Sequence, residues 1–159
     1  MKKVLFSLFV VMVTFASCGT DAVKFNDTIV NEERSLEAPI TEYSNKLGQA
    51  MASNSYEGIK ELGDSLLLKI DKSIEVIKNL KTPSGGEKFK ETSIEYFESA
   101  KKIVALGNKA ESLGSEPTEE QVTAFSEEYG NMIKEIAERT NAYLAVQKEF
   151  AKEKNMKLK

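Results

Sequence analysis

Apolar residues recur every three or four positions from residue 23 to the C-terminus, and they do not alternate convincingly with polar residues. This spacing gathers them on one face of a helix, whereas a half-buried strand would alternate with a period of two. Four such segments follow one another, and short stretches rich in turn residues separate them. The pattern therefore predicts an all-α fold with four helices.

The first segment has its apolar stripe at positions 25–51, and Pro39 lies inside that stripe. Proline lacks a backbone donor and its ring clashes with the preceding turn, so it kinks or ends a helix. The apolar spacing continues past this proline through Ile40 and Tyr43, and we therefore predict one kinked helix. Two helices joined at Pro39 are the alternative.

The second and third stripes lie at positions 59–80 and 89–113, and turn signals mark their ends. "ASNSYEG" precedes the second segment, where Asn54 or Ser55 is the expected N-cap. "KTPSGG", at 81–86, ends that segment because it contains proline and paired glycines. Gly114 suits the C-cap of the third segment.

The fourth stripe lies at positions 122–150, and the strongest local signal in the chain comes before it. Thr118 and Gln121 have the spacing of a capping box, in which each side chain bonds the other residue's backbone N–H. Four long segments with short connections favour antiparallel neighbours. We therefore predict an antiparallel up-down four-helix bundle over residues 25–159.

The first residues have the pattern of an export signal. "MKK" is basic, and the uncharged apolar run "VLFSLFVVMVTF" at 4–15 is shorter than the roughly 20 residues that a spanning helix needs. Two small residues, Ala16 and Ser17, come before Cys18, the only cysteine. This arrangement predicts a signal peptide over 1–17 that is cleaved between Ser17 and Cys18.

Phe15-Ala16-Ser17-Cys18 resembles a bacterial lipobox, although Phe15 stands where that class usually has an aliphatic residue. The resemblance implies that Cys18 is thioether-linked to diacylglycerol and that its new amine is acylated. Each buried CH₂ adds roughly 0.8 kcal/mol, so two or three acyl chains anchor a protein stably. Residues 18–24 would form a short tether. An ordinary secretory signal with a chance cysteine is the alternative.

The lipobox resemblance also implies a location, the bacterial cell envelope, with the membrane reached through the N-terminal lipid. Gly19 follows the cysteine, in place of the Asp that favours inner-membrane retention in some bacteria. We therefore favour the outer membrane or the cell surface over the inner membrane.

Three stretches of the mature chain carry a second resemblance: "KFNDTIVNEE", "LKTPSGGEKFKETSIEYFESAKKI" and "VQKEFAKEKNMKL". They resemble a family of small uncharacterised helical surface lipoproteins of spirochaetes and Bacteroidetes-type bacteria. The match lies on Asn26-Asp27-x-Ile29-Val30, on 89–97, and on Gln147-x-x-Phe150-Ala151 with Asn155. The resemblance implies a lipid-anchored helical domain and assigns no reaction and no binding residues.

The composition excludes several kinds of site. The chain has no His and one Cys, which rules out an internal disulfide, multi-cysteine zinc sites and the Glu-x-x-His pairs of di-iron bundles. Without Lys2 and Lys3 of the signal peptide, 20 basic residues stand against 25 acidic ones, a net charge of −5. An acidic domain is a poor candidate for nucleic-acid binding.

Other candidate motifs have simpler readings. Three acidic pairs are predicted to be surface charges or favourable charges near a helix start: Glu95 and Glu98, Glu119 and Glu120, and Glu127 and Glu128. "TPSGGEK", at 82–88, lacks the spacing of a phosphate loop and reads as a helix-to-helix turn. Asp27-Thr28-Ile29 and Asp64-Ser65-Leu66 resemble acceptors for periplasmic O-glycosylation in Bacteroidetes-type bacteria, but plain helix-surface residues are the favoured reading.

These observations predict a lipid-anchored, non-enzymatic binding or interaction module that uses no cofactor and no metal. The expected partner is another envelope component or an extracellular protein, and its identity and the oligomeric state stay open. The alternative is a carrier of a small apolar ligand between the helices. Aromatic residues on the apolar stripes motivate that alternative, with the tyrosines as the first candidates for pocket walls.

Overall fold

The computed structural model describes residues 13–14, 20–53, 55–114 and 116–158. The lipobox Phe15-Ala16-Ser17-Cys18 and most of the predicted signal peptide lie outside the described residues. Cleavage between Ser17 and Cys18, and lipidation of Cys18, therefore stay predictions.

Four helices form the domain: α1 (Thr20–Ser53), α2 (Ile59–Asn79), α3 (Glu87–Asn108) and α4 (Glu119–Glu153). A short 3-10 turn, Lys109–Leu113, continues α3. Each helix packs against the next one along the chain. The starts of α1 and α3 meet the end of α4, since Phe25, Phe89 and Phe150 contact one another there. The predicted all-α four-helix bundle is confirmed.

The first helix starts earlier than the sequence pattern indicated, and it is not interrupted. Residues 20–24 are helical, where a tether was predicted, and Ala22 is buried because it lies three residues before Phe25 on the same face. Pro39 lies inside α1, and the helix continues to Ser53. The alternative of two helices joined at Pro39 is therefore wrong.

The other helix ends agree with the predictions in two places and differ in one. The capping box is present, because Gln121 N donates to Thr118 Oγ1 and Thr118 N donates to Gln121 Oε1. Gly114 ends the 3-10 turn with φ 76° and ψ −171°, a conformation that is essentially restricted to glycine. The N-cap of α2 is Gly58, not Ser55, because the left-handed turn at Gly58 (φ 75°) redirects the chain into the helix. Asn54 lies outside the described residues.

The last helix ends in a Schellman motif, which satisfies two of its free carbonyls. Asn155 has φ 54°, Met156 N donates to Ala151 O at 2.7 Å, and Asn155 N donates to Lys152 O at 3.1 Å.

After the end of α4, the two-residue strand Lys157–Leu158 (β2) pairs antiparallel with Val13–Thr14 (β1). Because β1 lies in the predicted signal peptide, cleavage before Cys18 would remove this pairing.

We call the end of the bundle that holds the start of α1, the α2–α3 connection and the end of α4 the proximal end. Its core is aromatic: Phe25, Phe89, Tyr143 and Phe150 are almost fully buried, and their ring centroids lie 5.5–5.9 Å apart. Rings at this separation add edge and offset-stacking attraction to the burial of apolar area. At the opposite, distal end the partly buried residues Tyr129, Met132 and Ile133 cover the core.

Candidate functional site

Buried polar side chains lie where α1 faces α4. Asn26 is 0% exposed, Gln147 2% and Glu33 5%, although polar residues are seldom this buried. Gln147 Nε2 donates to Asn26 Oδ1 at 3.1 Å, and Tyr143 Oη donates to Glu33 Oε2 at 3.0 Å. Within the described residues, these two contacts are the side-chain hydrogen bonds that join α1 to α4.

Among the described carboxyl groups, Glu33 is the one whose pKa is clearly shifted by its surroundings. Burial raises the pKa of Glu33 from 4.5 to about 7, and the effect of burial outweighs the Tyr143 hydrogen bond and the Arg34 charge, which both lower the pKa. Among the described residues, no cation forms an ion pair with Glu33, and Arg34 Nε is itself buried without a hydrogen-bond partner. Glu33 is therefore held partly in its neutral form near pH 7.

The donor to Glu33 is part of a stacked tyrosine pair. The rings of Tyr96 and Tyr143 lie 5.1 Å apart at an interplanar angle of 16°. Burial raises the pKa of both phenols, and the charge of Glu33 raises them further. Both hydroxyls therefore remain protonated at any physiological pH, so Tyr143 always has a proton to donate.

A second polar cluster ties α1 to the other helices towards the distal end. Tyr43 Oη lies 3.0 Å from both Val104 O and Asn108 Oδ1, and its single hydrogen is donated to one of them. Asn108 Nδ2 donates to Asp64 Oδ1 at 3.0 Å, which extends the cluster to α2. The sequence motif at Asp64 is therefore engaged in a contact between helices.

Two buried glycines make room for this cluster. A Cβ on Gly107 would lie 2.3 Å from Tyr43 Oη, and a Cβ on Gly63 would lie 1.7 Å from Asn108 Oδ1. Neither distance is compatible with a van der Waals contact, so any other residue would displace Tyr43 or Asn108. Both glycines lie inside helices, where glycine costs about 0.5–1 kcal/mol relative to alanine.

Surface ion pairs are distributed differently from these buried bonds. The six ion pairs of the described residues all join side chains of α2, α3 and α4: Lys60–Asp64, Lys78–Glu98, Lys88–Glu149, Lys101–Asp71, Lys102–Glu135 and Arg139–Glu95. None of the six involves a residue of α1. Buried hydrogen bonds and apolar packing therefore hold α1 against the other three helices.

An interior cavity of about 40 Å³ lies between α1, α3 and α4. Tyr43, Tyr96 and Tyr129 contribute to its wall, as expected for the tyrosines, together with apolar side chains such as Ile133 and Ile136. Small-molecule sites usually measure about 300–1,000 Å³, so this cavity has room for water-sized molecules only. It does not favour the alternative of a ligand carrier.

The larger hollows are open grooves on the surface. One of about 590 Å³ follows the outer face of α1 beside Arg34, Thr41 and Asn45, and one of about 550 Å³ lies beside Asp64 and Asn108. Neither is enclosed. Within the described residues there is no group of three or more Asp, Glu or Cys side chains placed to hold a metal ion, and no helix long and apolar enough to cross a membrane.

The candidate glycosylation acceptors and the acidic pairs lie at or near the surface. Ser65 is exposed, and Thr28 Oγ1 donates to Lys24 O at 2.8 Å, so the two candidate acceptor sites are not brought together. Glu95 and Glu98 pair with basic side chains of neighbouring helices. Glu119, Glu120, Glu127 and Glu128 are exposed. Residues 82–86 lie in the connection between α2 and α3, and Glu87 and Lys88 begin α3.

Glu33 is the residue that the sequence pattern failed to identify. It lies four residues after Ile29 and three before Leu36, and is thus within the apolar stripe of α1. Its place as a charged residue in the apolar stripe is the sequence signal that could have identified Glu33. Gln147, between Tyr143 and Phe150 on α4, occupies an equivalent position.

The three stretches that resemble surface lipoproteins meet at the proximal end. Asn26 from the first bonds Gln147 from the third, and Phe89 from the second packs between Phe25 and Phe150. Comparison with known protein families, with curated proteins and with solved structures found no match. The family resemblance therefore stays a prediction.

Proposed function

We propose that this chain is a lipid-anchored, non-enzymatic helical lipoprotein of the bacterial cell envelope that works as a binding or interaction module. The observation that carries the proposal is the lipobox, Phe15-Ala16-Ser17-Cys18, placed after a basic start and a short apolar run. The lipid would connect the protein to the outer membrane or the cell surface.

The fold supports this proposal through the position of its first helix. α1 begins at Thr20, two residues after Cys18 in the sequence. A lipid on Cys18 would therefore join the chain next to the proximal end of the bundle, and the distal end would face away from the membrane. Polar surface at the distal end would then be the first that an envelope or extracellular protein meets.

The charge distribution supports a protein partner over nucleic acid. Residues 111–133, which run along the distal end into α4, contain six Glu and no Lys or Arg. A surface of this sign repels phosphate backbones and attracts basic protein surfaces. Without His, and with its one Cys acylated, the chain would also lack the commonest catalytic groups.

Metabolic labelling with radioactive palmitate tests the anchor. The full chain should incorporate label in a bacterial host with lipoprotein processing, and Cys18→Ala should incorporate none. The matched control is Ser17→Ala, which keeps a small residue before the cysteine and should label normally. Equal labelling of the wild type and Cys18→Ala would overturn the proposal.

Location and partner are tested on the same strains. Membranes separated by density should place the labelled protein in the outer-membrane fraction, and protease added to intact cells should cleave it if it is on the surface. Chemical crosslinking in cells should then give a defined adduct with one envelope protein. Recovery in the inner membrane, or only random adducts, would contradict this part of the proposal.

A further inference from the structure

The contact between Glu33 of α1 and Tyr143 of α4 is the site of this inference. Glu33 is 5% exposed, its carboxyl group accepts one hydrogen bond at 3.0 Å, and no cation forms an ion pair with it among the described residues. Burying a charged carboxylate with so few partners is costly, whereas a neutral carboxyl group can remain inside. The protonation state of Glu33 therefore affects the stability of the contact between α1 and α4.

The groups that face Glu33 come from three helices. Tyr143 of α4 donates to it, Tyr96 of α3 stacks on that tyrosine, and Arg34 and Glu37 are its charged neighbours on α1. The buried face of α2 consists of apolar residues, Gly63 and Ser73, and carries no titratable side chain. Arg34 is the cation among these neighbours; it forms no ion pair with Glu33, and its charge offsets the cost of burying an ionised Glu33 only in part.

We propose that the Glu33–Tyr143 contact is a proton-operated latch, which holds α1 most firmly on α4 while Glu33 is neutral and makes opening of α1 more frequent when Glu33 is ionised. The helix that would move is α1, which has no surface ion pair to its neighbours among the residues that the structure describes. It is also the helix next to Cys18, but the inference does not depend on lipidation.

The raised pKa of Glu33, about 7, places the latch in the physiological pH range. The chain contains no His, the side chain whose ordinary pKa lies in that range. In the released state Glu33 would return to its ordinary value of 4.5. Release therefore becomes more favourable as pH rises from about 4.5 to about 7 and then levels off.

Hydrogen exchange of the full chain, followed by mass spectrometry at pH 6 and pH 8 and corrected for intrinsic exchange, tests the latch. Exchange through opening of α1 should rise about tenfold between the two pH values, and exchange in α3 should change far less. Glu33→Gln, which is neutral at every pH, should remove the rise. Glu42→Gln makes the same substitution at an exposed position of α1 and should keep it.

A second variant gives an independent result. The Tyr143 hydrogen bond lowers the pKa of Glu33, so Tyr143→Phe should move the midpoint of the α1 transition to higher pH. A rise that persists in Glu33→Gln, or that is equal in α1 and α3, would overturn the latch. A midpoint that is unchanged in Tyr143→Phe, or moves to lower pH, would also overturn it.

Discussion

The first helix and the other three are attached by different means. α2, α3 and α4 are joined by ion pairs at the surface, among them Lys101–Asp71 and Arg139–Glu95, in addition to their apolar contacts. α1 is joined by hydrogen bonds that lie inside the protein, such as Tyr143–Glu33 and Gln147–Asn26. Exposed ion pairs are individually weak and tolerant of change, whereas buried polar groups are costly when a partner is lost.

This difference implies that α1 is the most sensitive part of the bundle. A partner lost from one of its buried contacts leaves a polar group in the core without a hydrogen bond. A partner lost from a surface ion pair leaves a side chain that water can solvate. Substitutions of similar chemistry should therefore have large effects at the attachments of α1 and small effects between the other helices.

The largest effect is expected at Gly107, where the backbone of α3 approaches Tyr43 of α1. Gly107→Ala would place a Cβ 2.3 Å from Tyr43 Oη and 3.0 Å from Leu47 Cδ2. We expect the free energy of unfolding to fall by about 3 kcal/mol, because the core is overfilled and the Tyr43 hydrogen bond is displaced. Urea denaturation followed by circular dichroism measures this change.

Gly130 provides the matched control for that substitution. It lies inside α4, and a Cβ added there would meet no atom within 4 Å. Gly130→Ala should therefore raise the free energy of unfolding by about 0.5–1 kcal/mol, through helix propensity alone. Equal effects at Gly107 and Gly130 would show that Tyr43 does not need the space that Gly107 leaves.

A smaller loss is expected when the Gln147–Asn26 contact is broken from one side. Gln147→Leu leaves Oδ1 of the fully buried Asn26 without its hydrogen-bond donor, and we expect a loss of about 2 kcal/mol in the free energy of unfolding. The double variant Asn26→Leu with Gln147→Leu removes both polar groups and should lie within about 1 kcal/mol of the wild type. Strictly additive losses in this double-mutant cycle would contradict the contact.

The smallest effect is expected at the surface ion pairs of the other three helices. The side chains of Lys101 and Asp71 are 38% and 49% exposed, so Lys101→Gln should cost less than about 1 kcal/mol. The difference from the wild type should shrink in 1 M salt, which screens exposed charges. A salt-independent loss of 2 kcal/mol or more would show that the two classes of attachment are alike.

The sequence was sufficient to predict the four helices, but it was not sufficient to predict the buried contacts that hold α1. Spacing of apolar residues located all four helices, and Thr118 with Gln121 marked the start of α4, because both signals are local. Glu33 escaped prediction, since a Glu in a helix is usually solvated and its buried hydrogen-bond donor, Tyr143, lies 110 residues away in the sequence. The early start of α1 was missed because Ala22 is a weak apolar signal.

The dependence of stability on pH tests most directly whether a buried, titrating Glu33 holds α1. Its pKa is about 7 in the folded protein and 4.5 ordinarily, so the folded form binds the proton more tightly and loses stability as pH rises. Urea denaturation at pH 5 and pH 8 should show a loss of about 2.5 kcal/mol for the wild type and less than about 0.5 kcal/mol for Glu33→Gln. The same loss in both proteins would contradict the account.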